Sequence, residues 1–303
     1  MANLNGLTVV VTRPRAQGEV TAQCLEAAGA TTISYPVLDI RPLSLDEVER
    51  RRVENAANAA NLANLTTTNV IIFISANAVS YGIPVLQHWR GFPVNGTLFG
   101  VGKTTTDALK DATAFDGHWL VDWQIASPSS GNDSEALLAM PALQDVAGQH
   151  IIIVCGHSET GGRKVLQQTL RERGAAVSLL VCYERKAISV SAAEQLALQA
   201  QLQTQPLKTF FLALSVETLD SLMDNIAGLT THHEAGSITK AAILQRCTLL
   251  VSHPRVAEAA RQRGWQHCEV VPMSNVALVD AIMVLLANSV TSVTAAIAPI
   301  KPT

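Results

Sequence analysis

Hydroxyls, glycines and a few cations stand where short apolar runs of this chain give way to helical patterns, and these are the residues best suited to chemistry. Thr12, Arg13 and Arg15 follow one run, Ser75 and Asn77 a second, and Lys103, Thr104 and Thr105 a third. Gly161, Gly162 and Arg163 follow a fourth, while Ser215 and Ser252 close two more. In parallel sheets, ligands collect outside the C-terminal ends of strands, where helix N-termini present unpaired N–H groups. Such a donor set binds anions. The chain has no paired carboxylates, no ordered Ser/His/Asp set, no Walker loop and no G-x-G-x-x-G, so nucleophilic catalysis is not indicated. Each residue also has a plainer role. Ser75, Ser215 and Ser252 suit helix N-caps, worth roughly 1 kcal/mol each. Arg13 suits a solvated cation, Thr105 a hydroxyl bonded within its own helix, Gly161 and Gly162 a turn, and Tyr183 a half-buried strand position.

The elements that must hold these residues come in repeated units. Residues 7–41 read as strand, loop, helix, strand, and residues 151–185 repeat the plan. Val9, Val10 and Val11 form a run too continuous for a half-exposed strand, which points to a parallel strand covered on both faces. Gly29, Gly174 and Gly264 stand where helices must stop. Further strands are expected at 70–74, 97–101, 118–121, 209–214, 247–251 and 270–271, with helices after them. A helix over 45–65 is expected to start at Ser44, with Glu47 placed as in a capping box. Grouping like units puts 1–36 with 188–288 in one domain and 42–181 in a second. Residues 37–41 and 182–187 then connect them, and 289–303 should be a disordered tail. Both domains are expected to be doubly wound parallel-sheet α/β folds of the flavodoxin or Rossmann type.

Composition narrows the partners. No apolar run approaches the ~20 residues of a membrane helix and no signal pattern opens the chain, so a soluble, cytoplasmic protein without membrane contact is expected. A net charge of −3 with 4% aromatics offers no nucleic-acid stripe. The five cysteines include no C-x-x-C pair and read as reduced and structural, with no metal site.

Taken in order, VVVTRPRAQGE, FISANAV, GVGKTTTDAL, GGRKVLQQTLRERGA, CYERK, LALSVETL and LLVSHPRVAEAARQRGW resemble the uroporphyrinogen-III synthase family in its proteobacterial form, over residues 4–286. The resemblance implies two α/β domains joined by a two-stranded β linker, with the active site in the cleft between them. It implies cyclisation of the linear tetrapyrrole hydroxymethylbilane, with inversion of ring D through a spiro intermediate, loss of water and no cofactor. By position, Ser75, Thr105, Tyr183 and Ser215 match family residues, and Tyr183 is the residue suited to protonate the departing hydroxyl. Ile74, Leu214 and Ser252 with His253 depart from the family's common residues. A monomer is expected, with transient contact with the enzyme that makes the substrate. The competing reading is a non-catalytic α/β sensor that holds a small anionic metabolite between two domains.

Overall fold

The computed structural model describes residues 3–54, 69–88, 95–115, 122–131, 133–157, 162–229, 238–272 and 274–296. The first elements are β1 (Thr8–Val11), α1 (Arg15–Ala27), β2 (Thr31–Ser34), β3 (Leu38–Pro42), α2 (Leu45–Glu54), β4 (Val70–Phe73) and α3 (Ala76–Gln87). Next come β5 (Asn95–Gly100), α4 (Lys103–Phe115), β6 (Asp122–Ala126), α5 (Ser134–Leu138), β7 (His150–His157), α6 (Gly162–Glu172) and β8 (Ala176–Ala187). The chain ends with α7 (Ala192–Thr204), β9 (Thr209–Ala213), α8 (Val216–Leu229), α9 (Lys240–Arg246), β10 (Thr248–Val251), α10 (Pro254–Gln262), β11 (His267–Val270) and α11 (Asn275–Ala296). It divides into two compact units, Met1–Asp39 with Lys186–Thr303, and Ile40–Arg185.

In the first unit, five parallel strands lie in the order β11-β10-β9-β1-β2. Every residue of β1 and β9 is buried, as a parallel strand with helices on both faces requires. Successive side chains alternate between two cores. Val10, Phe211 and Leu249 pack on one face with α8 and α10 residues, and Val9, Phe210 and Leu250 pack on the other with Leu25, Leu278 and Ile282. This is the order 2-1-3-4-5 of flavodoxin-like sheets.

The second unit holds β3-β8-β7-β4-β5-β6. Taking β7 and β8 as the counterparts of β1 and β2, and β4, β5 and β6 as those of β9, β10 and β11, its parallel strands repeat the first unit's order. Ile71, Phe73 and Val154 face one core, and Val70, Ile72 and Ile153 the other. At the edge, β3 runs against β8: Leu43 N–H donates to Cys182 O and Ile188 N–H to Val37 O, both at 3.0 Å.

Gly29, Gly174 and Gly264 close α1, α6 and α10 with φ of 95°, 85° and 95°. In each case the glycine N–H reaches back three residues and the next N–H five, the Schellman arrangement that a left-handed residue permits.

Several elements differ from expectation. The residues read as a connecting strand at 182–187 are the second half of the twelve-residue β8, because Tyr183 and Glu184 still pair with Gly156 and His157 of β7. The last strand of the first sheet starts at His267 rather than 270, since its register with β10 begins at Thr248↔His267. β6 occupies Asp122–Ala126, and the expected strand at 118–121 lies outside the described residues. Of the helix expected over 45–65, α2 accounts for Leu45–Glu54 and 55–65 lie outside the described residues. Ser44 Oγ accepts from Glu47 N–H at 3.2 Å, while the Glu47 carboxylate is engaged by Arg50 and Arg51. The helix α11 continues to Ala296, eight residues into the segment read as a disordered tail, and 297–303 lie outside the described residues. Among the described residues no helix is long and apolar enough to cross a membrane.

Candidate active site

Sheet order decides which strand ends meet. In the second unit β8, β7, β4 and β5 are neighbours, so the residues that follow β4 and β5 open at the C-terminal edge of the sheet, where Tyr183 pairs with Gly156 close to the end of β7. In the first unit the neighbours β1, β9 and β10 bring Arg13, Ser215 and Ser252 to one edge in the same way. In both units the sheet order reverses here, the place where open α/β sheets hold ligands.

Ser75 is extended, with φ −166° and ψ 163°, and caps α3 by accepting the Ala78 N–H at 3.1 Å. The same Oγ lies 3.1 Å from the Tyr183 hydroxyl. Ser75 is half-buried, whereas Tyr183 is 2% exposed and packs against Tyr81 with ring centroids 5.5 Å apart. Two hydroxyls joined by one hydrogen bond always keep one O–H hydrogen to offer elsewhere. When Ser75 donates to Tyr183, the chain from Ala78 N–H through Ser75 polarises the phenol toward a third acceptor. The N-terminal end of α3 favours the negative charge left behind when that proton leaves. The arrangement can therefore offer a proton while carrying no fixed positive charge.

The other candidates are placed as follows. Asn77 is half-buried in the first turn of α3. Lys103 opens α4 with its side chain 83% exposed and pairs with Asp107 at 2.7 Å. An exposed pair of this kind contributes about 0.3–0.5 kcal/mol, so a carboxylate ligand could displace it easily. Thr104 is exposed and Thr105 buried. The hydroxyl bonded within its own helix is that of Thr106, which donates to Gly102 O at 3.0 Å. Gly162 and Arg163 begin α6, and Gly161 lies outside the described residues.

In the first unit Arg13 is half-buried rather than solvated. It donates to Thr21 Oγ1 at 2.9 Å and Asn275 Oδ1 at 3.3 Å, and its Nε is buried without a partner. No carboxylate pairs with it among the described residues, and burial lowers its pKa from the ordinary arginine value. Ser215 Oγ accepts the Thr218 N–H at 3.0 Å and lies 2.9 Å from Thr218 Oγ1. Ser252 is not a cap: its hydroxyl donates to Leu214 O at 2.7 Å, tying the end of β10 to that of β9, and His253 caps α10 ahead of Pro254. Burial pushes the Cys182 and Cys247 thiols up, the latter to about 12.

One residue of this site escapes the reading of the sequence. Gly156 faces Tyr183 across β7 and β8, and the available signal is a glycine inside the apolar run IIIVCG, which marks a bulge or a close approach.

A family model described as uroporphyrinogen-III synthase HemD matches residues 19–275. The chain is 32% identical over 265 residues to the uroporphyrinogen-III synthase of Salmonella typhimurium, covering 87% of this chain and 94% of that protein. It is 30% identical to the Escherichia coli uroporphyrinogen-III synthase over the same shares. Among solved structures, a mutant uroporphyrinogen III synthase of Thermus thermophilus matches 93% of this chain and 100% of its own, with a TM-score of 0.53 at 16% identity. The Helicobacter pylori uroporphyrinogen-III synthetase matches 92% and 99%, with a TM-score of 0.53 at 14% identity. These two likenesses are of fold.

Proposed function

The chain belongs to the uroporphyrinogen-III synthase family, and from that premise we propose how its side chains serve the family's reaction. The activity is closure of hydroxymethylbilane to uroporphyrinogen III, with inversion of ring D through a spiro intermediate and loss of water, a step of haem and sirohaem synthesis.

The substrate carries an acetate and a propionate on every pyrrole. Carboxylates of that number suit the strand-end donors of both units: the helix ends at Ser75, Lys103 and Gly162, and the half-buried Arg13. Each helix-end contact contributes about 0.3–1 kcal/mol when exposed, so several are needed to fold the chain of rings. Asn77, Thr104, Thr105, Gly161, Arg163, Ser215 and Ser252 complete the proposed binding set.

Chemistry begins when the terminal hydroxyl leaves as water and an azafulvene cation forms. A phenol can give that proton without setting a fixed charge beside the cation, which Lys103 or Arg163 could not do. The single observation that carries the reading is the 3.1 Å meeting of Ser75 Oγ with the Tyr183 hydroxyl. Tyr183 supplies the proton, directly or through Ser75, and regains one from the ring D carbon at final closure. Holding the ends so that the substituted carbon of ring D attacks first is a matter of orientation. The reading has the enzyme work as a cytoplasmic monomer that takes its unstable substrate from the preceding enzyme in a transient contact.

The test is incubation with freshly made hydroxymethylbilane, followed by separation of the product isomers. Isomer III in excess is expected. Isomer I alone, at the spontaneous rate, would contradict the reading.

A further inference from the structure

β7 and β8 pair in register from His150↔Ala176 to Cys155↔Val181, and there the register slips so that Gly156 faces Tyr183. Cys182 is the extra residue on β8, its buried thiol lying 3.5 Å from Cys155 O and 3.9 Å from Ala78 O. An extra residue of this kind re-aims the side chain that follows it. Without the slip, Gly156 would pair with Cys182, and Tyr183 would be carried one place along the strand to His157.

The re-aimed ring then occupies the space of a side chain. A Cβ on residue 156 would stand 2.3 Å from Tyr183 Cε2, 2.4 Å from Cζ and 2.8 Å from Cδ2. Gly156 is not among the glycines with positive φ, so what it provides is room rather than an unusual backbone angle. The ring has little freedom to retreat, being 2% exposed, packed on Tyr81 and bonded through its hydroxyl to Ser75.

We propose that Gly156 is a positioning residue for the reaction: its missing side chain sets where the Tyr183 ring lies on β7, and thereby the meeting of the phenol with Ser75. This rests on the reading of Tyr183 as the acid. Displacing the ring by an ångström separates the two hydroxyls without touching either, so Gly156 governs turnover through geometry.

The experiment compares Gly156→Ala, Tyr183→Phe and the double variant in isomer III turnover. Gly156→Ala should lose roughly 10- to 100-fold in kcat with little change in KM, and under about twofold more when added to Tyr183→Phe. Losses that multiply, or wild-type turnover in Gly156→Ala, would overturn the proposal. Tyrosine labelled with ¹³C at Cζ gives a second readout, because the chain has only three, Tyr35, Tyr81 and Tyr183. Gly156→Ala should move the Tyr183 resonance and leave that of Tyr35; an unmoved Tyr183 resonance overturns the proposal. Wild-type turnover in Tyr183→Phe would sink the acid reading instead, and a moved resonance in Gly156→Ala would tell that failure from one of Gly156. Should Gly156→Ala not fold, Gly156→Ala/Tyr183→Leu removes the Cε2 and Cζ atoms at the clash and must restore folding, and its failure to do so counts against the proposal.

Discussion

Ser75 and Ser215 follow the counterpart strands β4 and β9, and each accepts the backbone N–H three residues on. Beyond the cap their company differs. Ser215 turns its hydroxyl to Thr218, a neighbour on its own helix, whereas Ser75 meets Tyr183, 108 residues away in sequence. The first unit also has a buried tyrosine, Tyr35, just past its edge strand β2, but its hydroxyl has no partner among the described residues. Burial first, and the Glu194 carboxylate second, push the Tyr35 phenol well above its ordinary pKa. A strand-end serine thus comes with the fold, while a serine joined to a phenol depends on one register slip in β8. On the proposed reading both units supply binding donors, and only the second supplies a serine joined to a phenol for proton transfer.

Replacing the tyrosines in turn gives the largest contrast. Tyr183→Phe should fold normally and lose about 10²-fold in turnover, the low end of general acid catalysis. Tyr35→Phe removes an unpartnered buried hydroxyl and should leave turnover unchanged and stability within about 1 kcal/mol of wild type or above it. Equal losses in both would break the comparison. The serines come next. Ser75→Ala should lower kcat roughly tenfold, while Ser215→Ala should raise KM and spare kcat, the mark of uniform binding. Both should unfold about 1 kcal/mol more easily for want of a cap, which urea titration would measure.

The smallest effect concerns the carboxylate facing Tyr35. Burial raises the Glu194 pKa, but the bonds from Ser191 and Arg15 together outweigh it and hold it below the ordinary value. A depressed carboxyl adds stability above its unfolded pKa and loses it as the pH falls through the folded one. Glu194→Gln should therefore be slightly less stable than wild type at neutral pH, by under about 1 kcal/mol given the exposed Arg15. The difference should close as the pH falls through the carboxylate range.

The strands β1, β4, β7 and β9 are legible in the sequence because burial on both faces leaves continuous apolar runs, and the glycines closing α1, α6 and α10 are legible because only a left-handed residue completes that cap. Less legible is α7, whose Ala, Gln and Leu residues form no clear stripe, although Ser191 and Glu194 carry a full capping box that marks its start. The short α9 is set by Thr239 capping it and by Ile243 and Leu244 packing inward, too few residues for a period to show. β6 alternates around Trp123 and gains its place by pairing with β5, a long-range choice. In the candidate site, the strand-end places of Ser75 and Ser215 follow from local pattern. The partner of Ser215, Thr218, is as local as its place, whereas that of Ser75 is not, because Tyr183 comes from a strand 108 residues away, next to the residue Cys182 that bulges from it.

The central claim is that Ser75 and Tyr183 act as one proton-donating unit. The most direct measurement is the double-mutant cycle of Ser75→Ala and Tyr183→Phe in isomer III turnover. The account predicts that the double variant is no slower than Tyr183→Phe alone, within about twofold, since the serine acts through the phenol. A double variant whose loss is the product of the two single losses would contradict it.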